Sequence, residues 1–239
     1  MLQIRRATER GHFQNDWLNS YHSFSFGEYK DPQHMGWSVL RVINEDRVMP
    51  STGFPRHPHD NMEIISYVLA GELAHQDSIG NGSKISAGDV QLMSAGAGIT
   101  HAEFNPSHEQ ANHFLQIWLL PNERDISPHY VEQHFSPEQK QGRWCLIISP
   151  DGREHSIRAH TEACLYSSLL DEKSSLSYQL AAERVAYLHI ASGTVHINDG
   201  TIDILLTAGD AAYVTAASKL TLSGAVAETA EILLFDLPA

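Results

Sequence analysis

Apolar positions along the chain come in short runs rich in β-branched and aromatic residues, each closed by Gly, Asn, Asp or Pro. "WSVLRVI", "EIISYVLAGELAHQ", "DVQLMSA", "HFLQIWLL", "WCLIISP", "YLHIASGTVHI" and "EILLFDLP" all have this form, which predicts strands. "DSIGNGS" (Asp77–Ser83) carries an Asn-Gly pair and predicts a hairpin turn. Helical signals are few: a turn or two in "SPHYVEQHF" after Pro128, and another in "SPEQKQGR". The pattern therefore predicts an all-β protein, built as sandwiches or barrels of antiparallel sheet, with few short helices.

The pattern also repeats. "SYVLAGELAHQDSIGNGSKISAGDVQLM" (66–93) and "AYLHIASGTVHINDGTIDILLTAGDAAYV" (186–214) each read as strand, Gly turn, strand, hairpin, then Ala-Gly-Asp leading into a further strand. The halves close on similar strands, "FLQIWLLP" and "ILLFDLPA". Two copies of one β-fold in tandem follow, over residues 1–135 and 136–239, with a linker near 128–145. A length of 239 residues suits two such domains.

Composition narrows the class. Residues 1–135 hold 9 Lys+Arg against 16 Asp+Glu, and the whole chain carries a net charge of −13. No basic patch exists to meet nucleic-acid phosphates, so direct nucleic-acid binding is not expected. The start "MLQIRRATERGH" lacks the apolar run of a signal peptide, and no stretch has the length of a membrane span. The reading is a cytoplasmic protein without membrane attachment. Cys145 and Cys164 form no CxxC pair and read as ordinary thiols.

Histidine is the anomaly. Of fifteen, eleven lie in residues 1–134. In "FPRHPHDNMEI", His57 and His59 have the i,i+2 spacing that puts both side chains on one face of a strand. Pro58 between them places this stretch at a strand start or sheet edge. "SAGAGITHAEFNPS" repeats the spacing with His101 and Glu103 after a Gly-rich approach. Two such strands side by side would converge three imidazoles and a carboxylate, a donor set suited to Fe, Mn, Cu, Ni, Zn or Co. Glu63, four residues after His59, competes as a ligand or as a partner orienting one. His22, His75 and His113 lie in strand-like stretches and read as structural, as do His189 and His196 in the second half. The aromatic "YHSFSFGEYKDP" can be read as a substrate lip, but strand packing explains Phe24, Phe26 and Tyr29 as well, and they are left out of the site.

These segments resemble the two motifs of the cupin superfamily: His57, His59, Glu63 and Gly71 in the first, and Gly88, Gly96 or Gly98, His101 and Asn105 in the second. Ser94 stands where that second motif commonly has proline. More specifically, "HPHDNMEIISYVLAGELAHQDSIGN", "MSAGAGITHAEFNP" and "WLNSYHSFSFGEYKDPQHMGWSVLRVIN" resemble the pirin family of two-domain cupins, with the likeness running to about residue 121. The resemblance implies two tandem jelly-roll barrels, the first of them metal-binding. It implies His57, His59, His101 and Glu103 as the ligands, iron foremost among the metals, and Glu63 in the second shell or the pocket. It further implies a quercetin 2,3-dioxygenase activity, in which a flavonol ring is opened by O₂ and carbon monoxide is released, with Glu103 accepting the substrate's proton. Some family members are instead non-enzymatic, metal-sensing regulators acting through a protein partner. A third option is another enol or diketone substrate. Aligning Gly193 with Gly71 puts Gln179 and Ala181 at the positions of His57 and His59. Aligning Gly209 with Gly88 puts Leu222 and Gly224, or Ser218 and Leu220 in a shifted register, at those of His101 and Glu103. No ligands are expected in the second copy.

Overall fold

The computed structural model describes residues 2–215, 219–225 and 228–239. The chain opens with β1 (Leu2–Arg5), β2 (Gly11–Gln14), β3 (Leu18–His22), β4 (Leu40–Val48) and β5 (Gly53–His59). Next come β6 (Glu63–Ala70), β7 (Glu72–Asp77), β8 (Gly82–Ser86), β9 (Asp89–Ser94), β10 (Ile99–Phe104), β11 (Asn112–Leu119) and β12 (His129–His134). A single turn of helix, α1 (Pro137–Lys140), falls in "SPEQKQGR" as expected. The second half holds β13 (Cys145–Ser149), β14 (Ile157–Arg158), β15 (Cys164–Leu170), β16 (Ser175–Gln179) and β17 (Arg184–Ser192). It ends with β18 (Thr194–Asn198), β19 (Asp203–Thr207), β20 (Ala211–Val214), β21 (Lys219–Gly224) and β22 (Ala230–Pro238).

These strands form two compact units, each with one seven-stranded and one four-stranded sheet. In the N-terminal unit the sheets run β12-β9-β6-β11-β4-β3-β2 and β5-β10-β7-β8. In the C-terminal unit they run β1-β20-β17-β22-β15-β13-β14 and β16-β21-β18-β19. The four-stranded sheets have the same order, and β9-β6-β11-β4 matches β20-β17-β22-β15 strand for strand. Gly71 and Gly193 turn the corresponding corners with φ of 72° and 74°, a backbone region that glycine enters without steric cost. The internal repeat seen in the sequence is thus a repeat of whole sheets.

Two expectations are corrected. The units are not contiguous: Met1–Glu9 fold with the C-terminal unit and Ala159–Thr161 with the N-terminal one. Strand β1 zips onto β20 from Leu2↔Val214 to Arg5↔Ala211, and Arg6 Nη1 meets Asp210 Oδ2 at 2.7 Å. A pairing between residues two hundred positions apart leaves no local trace. The stretch after Pro128 is not helical either. It is β12, laid against β9 from His129↔Ser94 to His134↔Asp89. Ladder pairing outweighs the local helix-start signal there, so the segment read as linker, 128–145, contains a strand of the N-terminal sheet, His129–His134, followed by α1.

The register also settles which C-terminal residues stand at the motif positions. In the N-terminal unit Glu103 pairs with His75, and His101 with both Asp77 and His57. In the C-terminal unit Leu222 pairs with Ile197, and Leu220 with Tyr178. Carried outward from Gly71 and Gly193, the counterparts are Tyr178 and Leu180, then Leu220 and Leu222. Alignment on glycines alone put Gln179 and Ala181 there, a slip of one residue, and such a slip turns every side chain to the opposite face. The second motif slips by two, from Leu222 and Gly224. Ser218 lies outside the described residues. Leu180, Leu220 and Leu222 are completely buried in one apolar cluster with Leu188, Ala212 and Leu234.

Candidate metal centre

Strand β5 is the edge of its four-stranded sheet and carries Pro58, which needs no ladder partner on its open side. It pairs with β10 so that His57 lies opposite His101 and His59 opposite Ile99. A bulge between His101 and Glu103 breaks the register. The two strands press together at Gly53, where a Cβ would sit 2.3 Å from the Glu103 carbonyl oxygen. Any side chain there would push β5 and β10 apart.

The three imidazoles of His57, His59 and His101 form a near-equilateral group, with ring centroids 4.5 to 4.9 Å apart. Each offers a nitrogen within 4.8 Å of the other two. His57 Nδ1–H donates to the Pro55 carbonyl at 2.8 Å, which leaves Nε2 with its lone pair. That Nε2 lies 3.1 Å from His101 Nε2. Two imidazole nitrogens on one ion, each about 2.1 Å from it, stand roughly 3.0–3.4 Å apart, so this spacing fits a shared metal. His101 is 1% exposed, and its Nδ1 has no hydrogen-bond partner. Burial, with the neighbouring His57 and His75, lowers the His101 pKa to about 3. Burial, with His101 and His57 beside it, lowers that of His59 to about 4. Both rings are therefore neutral near pH 7, the protonation state that binds metal.

Glu103 is 2% exposed and shares a second donor group with His75 and His101. Its carboxylate is fully dressed: Ser66 Oγ donates to Oε1 at 2.8 Å, Gln91 Nε2 to Oε1 at 3.3 Å, and Gln116 Nε2 to Oε2 at 2.7 Å. His75, read from the sequence as structural, lies within ligand distance of His101 and Glu103, yet both of its nitrogens are engaged. Nε2–H donates to Asp77 Oδ2 at 3.2 Å, and Nδ1 accepts from Gln91 at 3.3 Å.

Glu63 is elsewhere. It is buried on β6, where Ser94 Oγ and the His160 backbone N–H donate to its carboxylate, and it does not line the cavity described below. Its apparent parity with His57 and His59 fails because Asp60–Met62 form a turn, with Asn61 at φ 45°. On β6 itself the residue that faces Glu103 is Ser66, of opposite parity to Glu63. The expectation of a second-shell or pocket role for Glu63 is corrected accordingly.

The histidines and Glu103 open onto a cavity of about 490 Å³. Phe26, Tyr29 and Trp118 line it, with Ser20, His22, Asn44, Asp46 and Gln116 on the wall of the larger sheet. Trp118 stands edge-on to His59 at 5.0 Å and to Phe26 at 5.4 Å. Asp46 is 3% exposed. Burial pushes its carboxyl up to about 7, opposed by a hydrogen bond to Ser20 and reinforced by the charges of Glu103 and Glu45. Of the two readings of "YHSFSFGEYKDP", the substrate lip is the one the cavity favours, since Phe26 and Tyr29 line it. The polar wall was also missed, although it left a signal. His22, Asn44, Gln116, Ser66 and Gln91 stand in register across five paired strands. Each is a polar residue at an inward strand position, which only a partner or a ligand explains.

Family models match residues 3–119 as Pirin and residues 146–237 as the quercetinase C-terminal cupin domain. A protein of Escherichia coli O157:H7 named quercetin 2,3-dioxygenase is 43% identical over 239 residues, spanning 100% of this chain and 99% of that protein. The chain belongs to the pirin family. This pirin is also 37% identical over 237 residues to a pirin-like protein of Caulobacter vibrioides, spanning 99% of each. Its fold superposes on the crystal structure of the bacterial pirin YhhW from Escherichia coli in complex with nickel(II), with a TM-score of 0.92 and 41% identity. That comparison spans 100% of this chain and 99% of the other. The two units are thus cupin-type domains. Among the described residues no helix is long and apolar enough to cross a membrane.

Proposed function

We propose that this pirin is a metal-dependent dioxygenase that opens a flavonol ring with O₂. The observation that carries the reading is the convergence of three imidazoles at the wall of a cavity large enough for a flat aromatic molecule. His57, His59 and His101 would hold a divalent transition metal, with Glu103 as the fourth ligand and iron the first candidate, then Mn, Cu, Ni, Zn and Co. The bound metal supplies a positive centre that lowers the pKa of a substrate hydroxyl. Glu103 takes that hydroxyl proton, and Ser66, Gln91 and Gln116 keep its carboxylate oriented until then. Phe26 and Trp118 hold the flat rings and exclude water from the face being oxidised. The homologues named quercetin 2,3-dioxygenase support the substrate class. The test is aerobic incubation of protein loaded with each metal in turn, following loss of the quercetin absorption band and release of carbon monoxide. Turnover proportional to bound metal is expected. No turnover with any metal overturns the reading in favour of a metal-sensing regulator that works through a protein partner.

A further inference from the structure

On the cavity wall contributed by β3, β4 and β11, three buried polar atoms lack hydrogen-bond partners: the donor Trp118 Nε1 and the acceptors Asp46 Oδ1 and Gln116 Oε1. Asn44 Oδ1 accepts from His22 Nδ1 at 2.8 Å, so that pair is satisfied. Asp46, one inward position further along β4, lines the cavity, and its Oδ1 has no hydrogen-bond partner. Gln116 on the adjacent strand gives Nε2 to Glu103 and leaves Oε1 without a partner as well. Both side chains are more than nine-tenths buried. The C-terminal unit has leucine, Leu234, at the position of Gln116, so the fold does not require polar atoms here. Buried acceptors left without donors are unfavourable, and a ligand that donates to them recovers the loss.

We propose that Asp46 is a specificity-determining residue, whose unpartnered carboxyl oxygen, in the same cavity as the unpartnered amide oxygen of Gln116, accepts a ring hydroxyl of the substrate other than the one at the histidines. The class selected is therefore the polyhydroxylated flavonols rather than the bare flavonol skeleton. This rests on the flavonol reading above. A phenolic hydroxyl both donates and accepts, so it matches Asp46 in either protonation state.

The assignment is tested by anaerobic binding to zinc-loaded protein, which requires no turnover. Quercetin is compared with 3-hydroxyflavone, which keeps only the hydroxyl on the central ring. A site built to bond a hydroxyl discriminates strongly against a ligand lacking it, so Asp46→Leu should weaken quercetin roughly tenfold and 3-hydroxyflavone less than about twofold. Asp46→Asn keeps an acceptor oxygen and the shape of the side chain. It should weaken quercetin roughly threefold, again without effect on 3-hydroxyflavone, and it decides the matter if the leucine variant does not fold. Equal effects on the two ligands, or none on either, at unchanged zinc content, overturn the assignment and leave the flavonol reading standing. Wild-type protein that binds neither ligand overturns the flavonol reading, and the Asp46 assignment falls with it.

Discussion

The two units have sheets of nearly the same strand order and opposite interiors. In the N-terminal unit the row across five strands reads His22, Asn44, Gln116, Ser66, Gln91. In the C-terminal unit the row at the corresponding register reads Leu146, Tyr166, Leu234, Leu188, Ala212. The motif positions change in the same direction, from His57, His101 and Glu103 to Tyr178, Leu220 and Leu222. One barrel is hollow and donor-rich, whereas the other is closed by aliphatic packing. The backbone is common to both, so chemistry resides in which side chains face inward and not in the fold.

The comparison breaks most completely if the hollow barrel loses one of its candidate ligands. His101→Ala should abolish metal loading, with affinity falling by more than the 10–100-fold typical of residues that merely orient a ligand, as read by elemental analysis after dialysis. The reciprocal change puts polarity into the closed barrel. Leu234→Gln should destabilise the protein by about 3–5 kcal/mol, because it opens a gap and buries an amide without partners, and urea unfolding measures it. The same amide is native at Gln116, where Glu103 accepts from it.

Asp46 provides a pH-resolved difference. Its carboxyl is raised from 3.8 to about 7, so between those values the folded state keeps a proton that the unfolded chain gives up. The stabilisation is complete below pH 3.8 and is lost as pH rises through about 7, by at most about 4 kcal/mol in total. Metal-free Asp46→Asn protein should lack that decline in unfolding free energy over the same range, whereas any variant of the closed barrel retains it. Smaller still is the effect of Gln116→Ala. Removing one donor from Glu103 should weaken metal binding roughly tenfold, measured by competition with a chelator. The smallest effect on the site is that of Glu63→Gln. Metal content and flavonol affinity should stay within about twofold of wild type, with only a loss of thermal stability, because its partners are Ser94 and His160.

Much of this was legible in the sequence, for identifiable reasons. Strands and turns leave local signals, so the all-β character and the repeat could be read directly. The convergence of His57, His59 and His101 was visible because strand period 2 turns an i,i+2 spacing into a shared face, whereas His75, the neighbour of Glu103 and His101, was not. Glu63 misled because the same period was carried across a turn that breaks it. Phe26 and Tyr29 could not be assigned, since an aromatic that lines a cavity and one that fills a core look alike in sequence. The inward polar row was readable in principle from Ser66 in "EIISYV", Gln91 in "DVQLMS" and Gln116 in "HFLQIWLL". Each marks a position where a strand gives up apolar burial. What could not be read was the register that joins them, because it depends on contacts between distant strands.

Strand β1 carries a consequence for biosynthesis. Strand β1 completes the edge of a sheet whose neighbouring strand, β20, lies some two hundred residues further along the chain. During translation β1 stays without this partner until β20 has been made, and β20 then emerges needing a partner that already exists. Such long-range closure is slow, and an uncovered strand edge is a template for pairing with another chain. A truncated form without β1 would present Ala211–Val214 as a bare edge, open to the same segment of a second molecule.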